Sequence, residues 1–449
     1  LYHCGTRHLS KLHLLVRGHP PILLTSTVAL DNAVMKADLI NPDIAEADRV
    51  VLGVGVLHLQ RTRFLFEARL FERLSVRNFG VEPLDVELEL AFAADFADIF
   101  EARGVARATR GAMRTERLGP DRLRIVYDGE DGTRRVTRLA VTPVPVELEA
   151  EHARFTLDLA AGARASLFLV VDCEDREPPG GAGLGFFSAL TRARRPLRAV
   201  ARQSAGVETS NAVTNEVLRR AMADLTMLVT DTDKGAYPYA GVPWFSTPFG
   251  RDGLITALLM LWVDPRLAKG VLRYLAASQA IDEDASADAE PGKILHETRA
   301  GELARLGVVP FRHYYGTIDA TPLFVVLAGA YLERTGDLAT IRELEPAIER
   351  ALVWIERWGD RDGDGLVEYG RRRSDGLVNQ GWKDSDDSVF HATGDLADGP
   401  IALVEVQGYV FAAFEAAALI AEALGRGDVA RQRRGQAEAV RSRVEASFW

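Results

Sequence analysis

The segment Asn379–Ser388 concentrates side chains that could do chemistry. Within ten residues it holds three carboxylates, one tryptophan and several amide or hydroxyl groups. Gly381 and the polar crowding predict a loop rather than a helix interior. A site that cleaves a sugar needs such a set: an aromatic plate, polar groups that read hydroxyls, and a carboxylic acid that protonates the leaving oxygen. A solvated acidic loop with an incidentally buried tryptophan is the structural alternative.

Length and composition restrict the classes of protein that fit. The 449 residues are enough for two or three domains, and 47% apolar with 26% charged residues is typical of a globular protein. A net charge of -10 disfavours nucleic acid as a partner. Only two cysteines, Cys4 and Cys173, indicate a reducing compartment, so we expect a cytoplasmic protein. The sequence has no run of about 20 apolar residues, so it predicts no membrane span.

The chain changes its hydrophobic period near residue 207. Residues 1–172 predict an antiparallel β-sandwich, because segments such as Val86–Leu90 alternate apolar and charged residues. Residues 173–206 predict a linker with one helix. Residues 207–449 have the helical period and long polar loops, which favours an α/α barrel with its site in the loops.

The period also predicts individual elements. Predicted strands are Lys11–Arg17, Arg49–His58, Phe64–Asn78, Leu84–Phe92, Arg122–Val126, Arg135–Val141, Val144–Leu159 and Arg164–Val171. Predicted helices are Asn211–Val229, Asp252–Trp262, Pro265–Ala280, Thr321–Thr335, Pro346–Trp358, Ile401–Leu424 and Val429–Ser447. About seven helices fall short of the roughly twelve in a closed ring of six helical hairpins. We therefore expect a partial barrel that continues beyond Trp449.

Several motifs then resemble one family. They are Pro243–Asp252, Lys293–Glu297, Tyr315–Pro322, Gln380–Ser388 and Glu405–Tyr409. In this order they resemble bacterial amylo-α-1,6-glucosidase or glycogen-debranching-like proteins, whose N-terminal β-domain is similar at Thr6–Ser10 and Asp95–Glu101. The resemblance implies an (α/α)6 glycoside hydrolase domain, akin to mannosylglycerate hydrolase and processing α-glucosidases. The sequence departs from the family pattern at Gly5, where an Asp is expected before Thr6 and Arg7.

The resemblance implies a sugar-binding role for Arg251 and Asp252. A guanidinium fork and a carboxylate can hold adjacent hydroxyls of a terminal glucose, and related barrels use an Arg-Asp pair in this way. An acid in the first turn of a helix also suits the helix dipole, so capping is the alternative. Trp244 and Phe249 would be walls of the same pocket or part of the core.

Asp384 is the candidate general acid. The pattern Gly381-Trp382-x-Asp384 resembles the Gly-Trp-Asp loop that bears the acid in these hydrolases, with one residue shifted. The shift makes Asp386 a competitor. A general acid must be partly buried to stay protonated near neutral pH, and Trp382 could supply the apolar neighbour.

The remaining loop groups are candidate sugar contacts. In the acid's own loop these are Gln380 and Lys383.

Further candidate contacts lie in the other motifs. His296, Glu297 and Asp319 each lie near an expected helix end, so sugar contact and helix capping are both open. Glu405 lies in the most apolar helix and must be paired or face a cavity, with Gln407 beside it.

The stretch Asp360–Gly365 resembles the first half of a calcium loop. Asp360, Asp362, Asp364 and Glu368 could form a loose calcium site. Arg371 occupies the twelfth position, where an EF-hand requires Glu, so a true EF-hand is excluded. An Asp/Gly turn is the alternative, and no other cofactor is expected, because neither a phosphate loop nor zinc spacing is found.

Together these observations favour hydrolysis of an α-glucosidic bond in an oligo- or polysaccharide. Inversion is expected from the related barrels, with Asp384 as acid and a water-activating base beyond Trp449. The alternatives are hydrolysis of another small glycoside, such as glucosyl- or mannosylglycerate, and a carbohydrate-binding protein without catalysis.

Overall fold

The computed structural model describes residues 1–47, 49–174 and 181–449. The chain forms two compact units, which are described separately. Unit 1 consists of Leu1–Arg202, Thr209–Asp224 and Gly301–Leu306, and unit 2 of Gln203–Glu208, Leu225–Ala300 and Gly307–Trp449.

Unit 1 is built on two antiparallel sheets. Its strands are β1 (Tyr2–His3), β2 (Thr6–Arg7), β3 (Lys11–Val16), β4 (Ile22–Val28), β5 (Met35–Ile40), β6 (Ile44–Glu46), β7 (Arg49–Leu52), β8 (Leu57–Phe66), β9 (Arg69–Asn78), β10 (Leu84–Ala93), β11 (Ala112–Arg117), β12 (Arg122–Asp128), β13 (Arg134–Thr142), β14 (Glu147–Leu148), β15 (His152–Leu159) and β16 (Arg164–Asp172). The larger sheet has the order β11-β12-β13-β16-β9-β8-β5-β4, and the smaller one has the order β14-β15-β10-β3.

The core of unit 1 contains side chains from both sheets. Leu59 and Val76 of the larger sheet share one apolar cluster with Leu88 and Phe155 of the smaller sheet. In β10, Val86, Leu88 and Leu90 are buried while the acids between them are more exposed. The alternation in the sequence therefore corresponds to one buried face and one wet face, as in a sandwich.

Three predicted strands are broken by turns in the structure. The predicted strand Phe64–Asn78 is a hairpin, in which Glu67 and Ala68 both have positive φ, at 49° and 57°. Such turns are normally marked by Asn or Gly. Because Glu67 and Ala68 are neither Asn nor Gly, no turn was predicted at this position. The predicted strands Arg49–His58 and Val144–Leu159 are likewise interrupted, the first between β7 and β8 and the second between β14 and β15.

Unit 2 contains most of the long helices. The helices of the whole described chain are α1 (Ile99–Ala102), α2 (Gly181–Gln203), α3 (Ala212–Leu228), α4 (Gly250–Met260), α5 (Pro265–Ala277), α6 (Glu302–Arg305), α7 (Ala320–Thr335), α8 (Leu338–Trp354), α9 (Val404–Ala423) and α10 (Gly427–Phe448). A short hairpin of β17 (Val229–Thr232) and β18 (Gly235–Pro238) precedes α4.

The helices of unit 2 form three successive hairpins. Helix α4 packs against α7 and α7 against α9, while α5, α8 and α10 each pack against the preceding member of this row. Phe324 and Leu327 of α7 and Ala413 of α9 are buried in one large apolar cluster. The row α4, α7 and α9, called the inner helices below, connects the three hairpins to one another.

Helix α8 begins earlier than the sequence predicts. It starts after Asp337, whose carboxylate accepts a hydrogen bond from the Thr340 amide at 3.1 Å. Pro346, which the sequence indicated as a start or a kink, lies inside the helix. The capping carboxylate therefore sets the start, and the helix ends in a π-helical turn, Ile355–Gly359.

Helix α9 is the most apolar element of unit 2. It is the one described helix that is long and apolar enough to cross a membrane, and half of its most apolar window is buried inside the protein. Core helices of globular proteins share this composition, so its apolar character is weak evidence for a membrane segment.

Replacing Asp337 by alanine should destabilise unit 2. Its carboxylate also accepts hydrogen bonds from Tyr331 Oη at 2.8 Å and from the Thr340 hydroxyl at 2.7 Å. We expect Asp337→Ala to lower the free energy of unfolding by about 1–2 kcal/mol, as for other lost N-caps, in denaturant titrations. Asp337→Asn is the matched control, because Asn also caps well. Equal stability of the two variants would contradict the capping role.

Candidate functional site

Three inner helices begin close together in unit 2. Helix α4 begins with Gly250, Arg251 and Asp252, α7 follows Asp319, and Glu405 lies in the first turn of α9. Helix N-termini carry unpaired N–H groups and partial positive charge. The arrangement therefore collects three acidic side chains and one guanidinium where anions and hydroxyl groups are favoured.

Arg251 connects the starts of α4 and α7 with the loop Asn379–Ser388. Only 9% of this residue is exposed. Its Nη1 lies 3.1 Å from Asp319 Oδ2 and 2.7 Å from the Gly381 carbonyl oxygen, to which it donates. Its Nη2 lies 3.0 Å from Asp384 Oδ2. The sequence-predicted residues Arg251, Asp319 and Asp384 are thus brought together across more than a hundred positions of the chain.

Glycines make this close packing possible. A Cβ at Gly250 would lie 1.9 Å from the Leu295 carbonyl oxygen, and the Gly250 amide donates to the His296 carbonyl oxygen at 2.8 Å. A Cβ at Gly381 would lie 2.3 Å from Leu403 Cδ1. Larger residues at either position would push the acidic loop or the segment at His296 away from α4.

Asp319 does not cap α7. It occupies the N-cap position, but in the described chain its side chain accepts no hydrogen bond from the first turn. Instead Oδ1 accepts a hydrogen bond from Thr317 Oγ1 at 2.7 Å, while Oδ2 pairs with Arg251. This carboxylate therefore does not cap the helix, because it forms an ion pair with the buried guanidinium of Arg251 instead.

Asp252 lies beside the same cluster, in the first turn of α4. Burial raises its pKa above the usual range, and the Arg251 guanidinium partly opposes this effect. Asp319 and Asp384 raise the pKa further by charge repulsion. The surroundings of Asp252 therefore shift its pKa upward.

His296 and Glu297 lie on a short strand-like segment beside α4. Glu297 bridges to Phe249 on one side and to Tyr314 on the other, and its Oε2 pairs with Arg299 Nε at 2.7 Å. His296 is buried, which lowers its pKa to about 3, and the charges of Arg251 and Arg299 act in the same direction. His296 is therefore a neutral imidazole.

The predicted aromatic walls differ in exposure. Phe249 is buried and packs edge-on against His296 at 5.5 Å between ring centroids. Trp244 is partly exposed, and its carbonyl oxygen accepts a hydrogen bond from Arg299 at 2.8 Å. Trp382 is 56% exposed, with the Lys383 ammonium 5.2 Å from its ring. Trp382 thus does not supply the apolar surroundings that a buried general acid requires.

The two candidate acids have different positions. Asp384 contacts Arg251, and 44% of its side chain is exposed. Asp386 is exposed, and its carbonyl oxygen lies 3.3 Å from Asn379 Nδ2. The geometry brings Asp384, rather than Asp386, to the helix ends.

The two candidate glutamines also differ. Gln407 uses its carboxamide on the backbone of Val367, accepting at 2.8 Å and donating at 2.6 Å, so it fixes a loop. Gln380 is 1% exposed, and its Nε2 lies 3.5 Å from Asp288 Oδ2. Its Oε1 has no hydrogen-bond partner among the described residues. Gln380 therefore retains a free acceptor and Gln407 does not.

Sequence reasoning did not single out Asp288, Thr317 or Tyr314. Tyr314 Oη donates to Asp288 at 2.7 Å, and Thr317 Oγ1 donates to Asp319. Tyr314 directly precedes the motif Tyr315–Pro322, Thr317 lies within it, and Asp288 lies five residues before Lys293, but neither residue type nor spacing signals a role for any of them. Only their proximity to predicted site residues in space reveals them.

In the loop Asp360–Glu368, which follows α8, four carboxylate groups lie close together. Oxygen atoms of Asp360, Asp362, Asp364 and Glu368 lie within 4.8 Å of one another. Gly363 and Gly365 have positive φ, and Asp360 accepts hydrogen bonds from both of their amides. The loop is thus a cluster of acidic groups that could bind a metal ion.

Comparisons with known proteins agree with this architecture. Residues 1–170 match the family model described as the N-terminal domain of (some) glycogen debranching enzymes. No match was found among curated protein sequences. The chain is similar in structure to "Putative kojibiose phosphorylase from human microbiome", with a TM-score of 0.59, 9% identity, and coverage of 97% of this chain and 60% of that one.

A bacterial glucoamylase solved with acarbose is a second structural relative. It gives a TM-score of 0.56 at 11% identity, with 98% of this chain and 62% of that chain covered. The chain thus spans about 60% of the length of these two proteins. At such identities the likeness shows the fold, and the expected antiparallel β-domain followed by an (α/α)6-type helical domain is confirmed.

Burial of neutral His296 should make stability depend on pH. The unfolded imidazole binds a proton below its usual pKa of about 6.5, while the folded one does so only near 3. The contribution of neutral His296 to the free energy of unfolding is therefore complete above pH 6.5 and is lost as the pH falls toward 3. Between pH 6.5 and 5 we expect a loss of about 2 kcal/mol.

The variant His296→Gln isolates this contribution. Denaturant titrations at pH 7 and pH 5 should show a smaller loss of stability in the variant than in the wild type. His8, in unit 1, also has its pKa lowered to about 3 by burial, but it is retained in both proteins. An identical pH dependence in both would show that His296 is not neutral in the folded state.

Proposed function

We propose that the protein is a glycoside hydrolase that cleaves an α-glucosidic bond in an oligo- or polysaccharide, with Asp384 as the general acid. One observation carries the proposal. Arg251 bridges Asp319 and Asp384 at the N-termini of the inner helices. The fold containing them is shared with a glucoamylase, and the N-terminal domain matches that of some glycogen debranching enzymes.

The cluster is suited to holding a sugar. A guanidinium with a fixed fork and a neighbouring carboxylate can together bind two adjacent hydroxyl groups. Asp319 accepts a hydrogen bond from Arg251, and Thr317 in turn donates to Asp319. Asp252 lies beside it on the first turn of α4. The binding groups therefore need little rearrangement when a sugar enters, which lowers the entropic cost of binding.

The contact between Arg251 and Asp384 bears on the proton transfer. Arg251 Nη2 donates to Asp384 Oδ2 at 3.0 Å, so the guanidinium occupies this oxygen of the candidate acid. The same oxygen can protonate a leaving group only after this contact opens. We propose that sugar hydroxyl groups replace Asp384 on the Arg251 fork, which leaves the acid free to protonate the leaving oxygen.

The stereochemical outcome is part of the proposal. Inversion requires a second carboxylate that activates water on the opposite face of the sugar, about 6.5–9.5 Å from the acid. The rival outcome, retention, would give a product of the same anomeric form as the substrate. Following the anomer of the released glucose by NMR distinguishes the two.

Replacing Asp384 should abolish turnover without abolishing sugar binding. Loss of a general acid raises the barrier but removes no hydroxyl contact, so Asp384→Asn should lose about 100-fold or more in kcat. Hydrolysis would be screened with maltose, isomaltose, glycogen and glucosylglycerate, and binding would be measured by calorimetry.

Two neighbouring acids provide matched controls. Asp386→Asn and Asp387→Asn change the same loop and the same charge, and both should retain most of the wild-type kcat. A severe loss in Asp386→Asn with a mild one in Asp384→Asn would transfer the role to Asp386. Absence of hydrolysis in the wild type, with sugar binding retained, would favour a carbohydrate-binding protein.

We also propose that the acidic loop Asp360–Glu368 binds calcium. Four carboxylate groups within 4.8 Å supply the hard oxygen ligands that Ca²⁺ prefers, and their mutual repulsion would be relieved by a cation. One carboxylate, that of Glu368, also accepts two backbone amides, which orients it within the cluster.

Calcium should therefore raise the melting temperature of the protein. After treatment with a chelator, millimolar CaCl₂ should raise the Tm by several degrees in the wild type, and by less in Asp362→Asn. NaCl at equal ionic strength is the control for screening. A Tm that is insensitive to calcium would refute the site and leave the loop as an Asp/Gly turn.

A further inference from the structure

We propose that Asp288 is a positioning and specificity-determining residue of the sugar site. Its carboxylate fixes the orientation of the Gln380 carboxamide, so that Gln380 Oε1 accepts a hydrogen bond from a hydroxyl group of the bound sugar. This inference rests on the proposed function of the same site. The geometry of three contacts to one buried carboxylate carries it.

Asp288 is buried and has an unusual backbone conformation. It is 2% exposed and follows the 3₁₀ turn Ala285–Ala287 with a φ of +50°. Few residues other than glycine adopt this region, and those that do at buried positions are often functional.

The carboxylate of Asp288 binds groups from two separate segments. Oδ2 accepts hydrogen bonds from Tyr314 Oη at 2.7 Å and from Gln380 Nε2 at 3.5 Å. Oδ1 accepts one from the Arg372 amide at 2.9 Å. Burial, and the charge of Asp288 itself, raise the pKa of Tyr314, so its hydroxyl remains a donor.

These two segments are the two halves of the site. Tyr314 is paired through its backbone with Glu297, and its carbonyl oxygen accepts from the His296 amide at 2.7 Å. Gln380 precedes Gly381, whose carbonyl oxygen binds Arg251. Asp288 therefore joins the segment that carries His296 to the loop that carries Asp384.

An ionised carboxylate can only accept hydrogen bonds. The Gln380 carboxamide must therefore present its nitrogen to Asp288, which directs Oε1 to the other side. There Oε1 is buried without a partner in the described chain. Buried carbonyl acceptors are nearly always hydrogen-bonded. A sugar hydroxyl is a donor of the required kind, and Gln380 lies next to the residues proposed to hold the sugar.

The experiment is a charge-swap cycle with binding as its readout. Asp288→Asn adds a donor that lets the Gln380 carboxamide turn over and present its nitrogen to the sugar. Asn tolerates positive φ well, so the backbone is not strained. Gln380→Glu places two carboxylates in contact. The double variant restores one donor and one acceptor and again leaves a free acceptor for the sugar.

Affinity for acarbose and for maltose would be measured by calorimetry, with Tm as the control for folding. Each single variant should raise the Kd about 10-fold, and the double variant should lie within about 3-fold of the wild type. Asp375→Asn removes an exposed acid of the same loop and should leave the Kd unchanged.

Three outcomes would overturn the proposal. They are an unchanged Kd in Asp288→Asn, a double variant no tighter than the weaker single variant, and a double variant that does not fold. The last two would assign Asp288 to folding alone, because a purely structural role is not rescued at Gln380. A wild type that binds neither sugar would instead refute the proposed function, and with it this inference.

Discussion

The buried guanidinium of Arg251 is the interaction on which the site depends. A charged group with so little exposure is costly unless it is paired and fully hydrogen-bonded. Its acceptors come from the start of α7, from the Gly381 carbonyl oxygen and from Asp384. Because no single segment can satisfy the fork, the requirement to pair it brings all three to the N-terminus of α4.

A second buried polar group, the carboxylate of Asp288, also contacts this loop. Asp288 accepts donors from the Tyr314 segment and from the loop at Arg372 and Gln380. Arg251 and Asp288 thus hold the loop Asn379–Ser388 at neighbouring positions. Arg251 donates to Gly381, and Asp288 accepts from Gln380. Apolar packing could fill this space, but it would not fix the direction of a carboxamide or a carboxylate as hydrogen bonds do.

The helical unit supplies the frame for these contacts. The inner helices α4, α7 and α9 bury their apolar faces in one core, and this burial fixes where their N-termini lie. The polar residues at those ends are then positioned by packing that occurs elsewhere. The site can therefore contain several acids, because the stability of the unit comes from the core and not from them.

Local patterns determined much of this structure from the sequence. The alternation at Val86–Leu90 and the helical period of α7 specify which faces are buried, because each depends only on neighbouring residues. The motifs that contain Arg251, Asp319 and Asp384 also predicted side chains that the structure brings together. The hairpin turn at Glu67 was missed, because its residues lack the usual turn chemistry.

Tertiary structure alone decided what each polar side chain does. Asp319 has the position of a helix cap but pairs with Arg251, and Gln407 has the position of a site residue but binds Val367. In the sequence Asp386 competes with Asp384 for the same role, and of the two it is Asp384 that contacts Arg251. A carboxylate or amide can satisfy its hydrogen bonds in several ways, and the choice depends on partners that are distant in the chain.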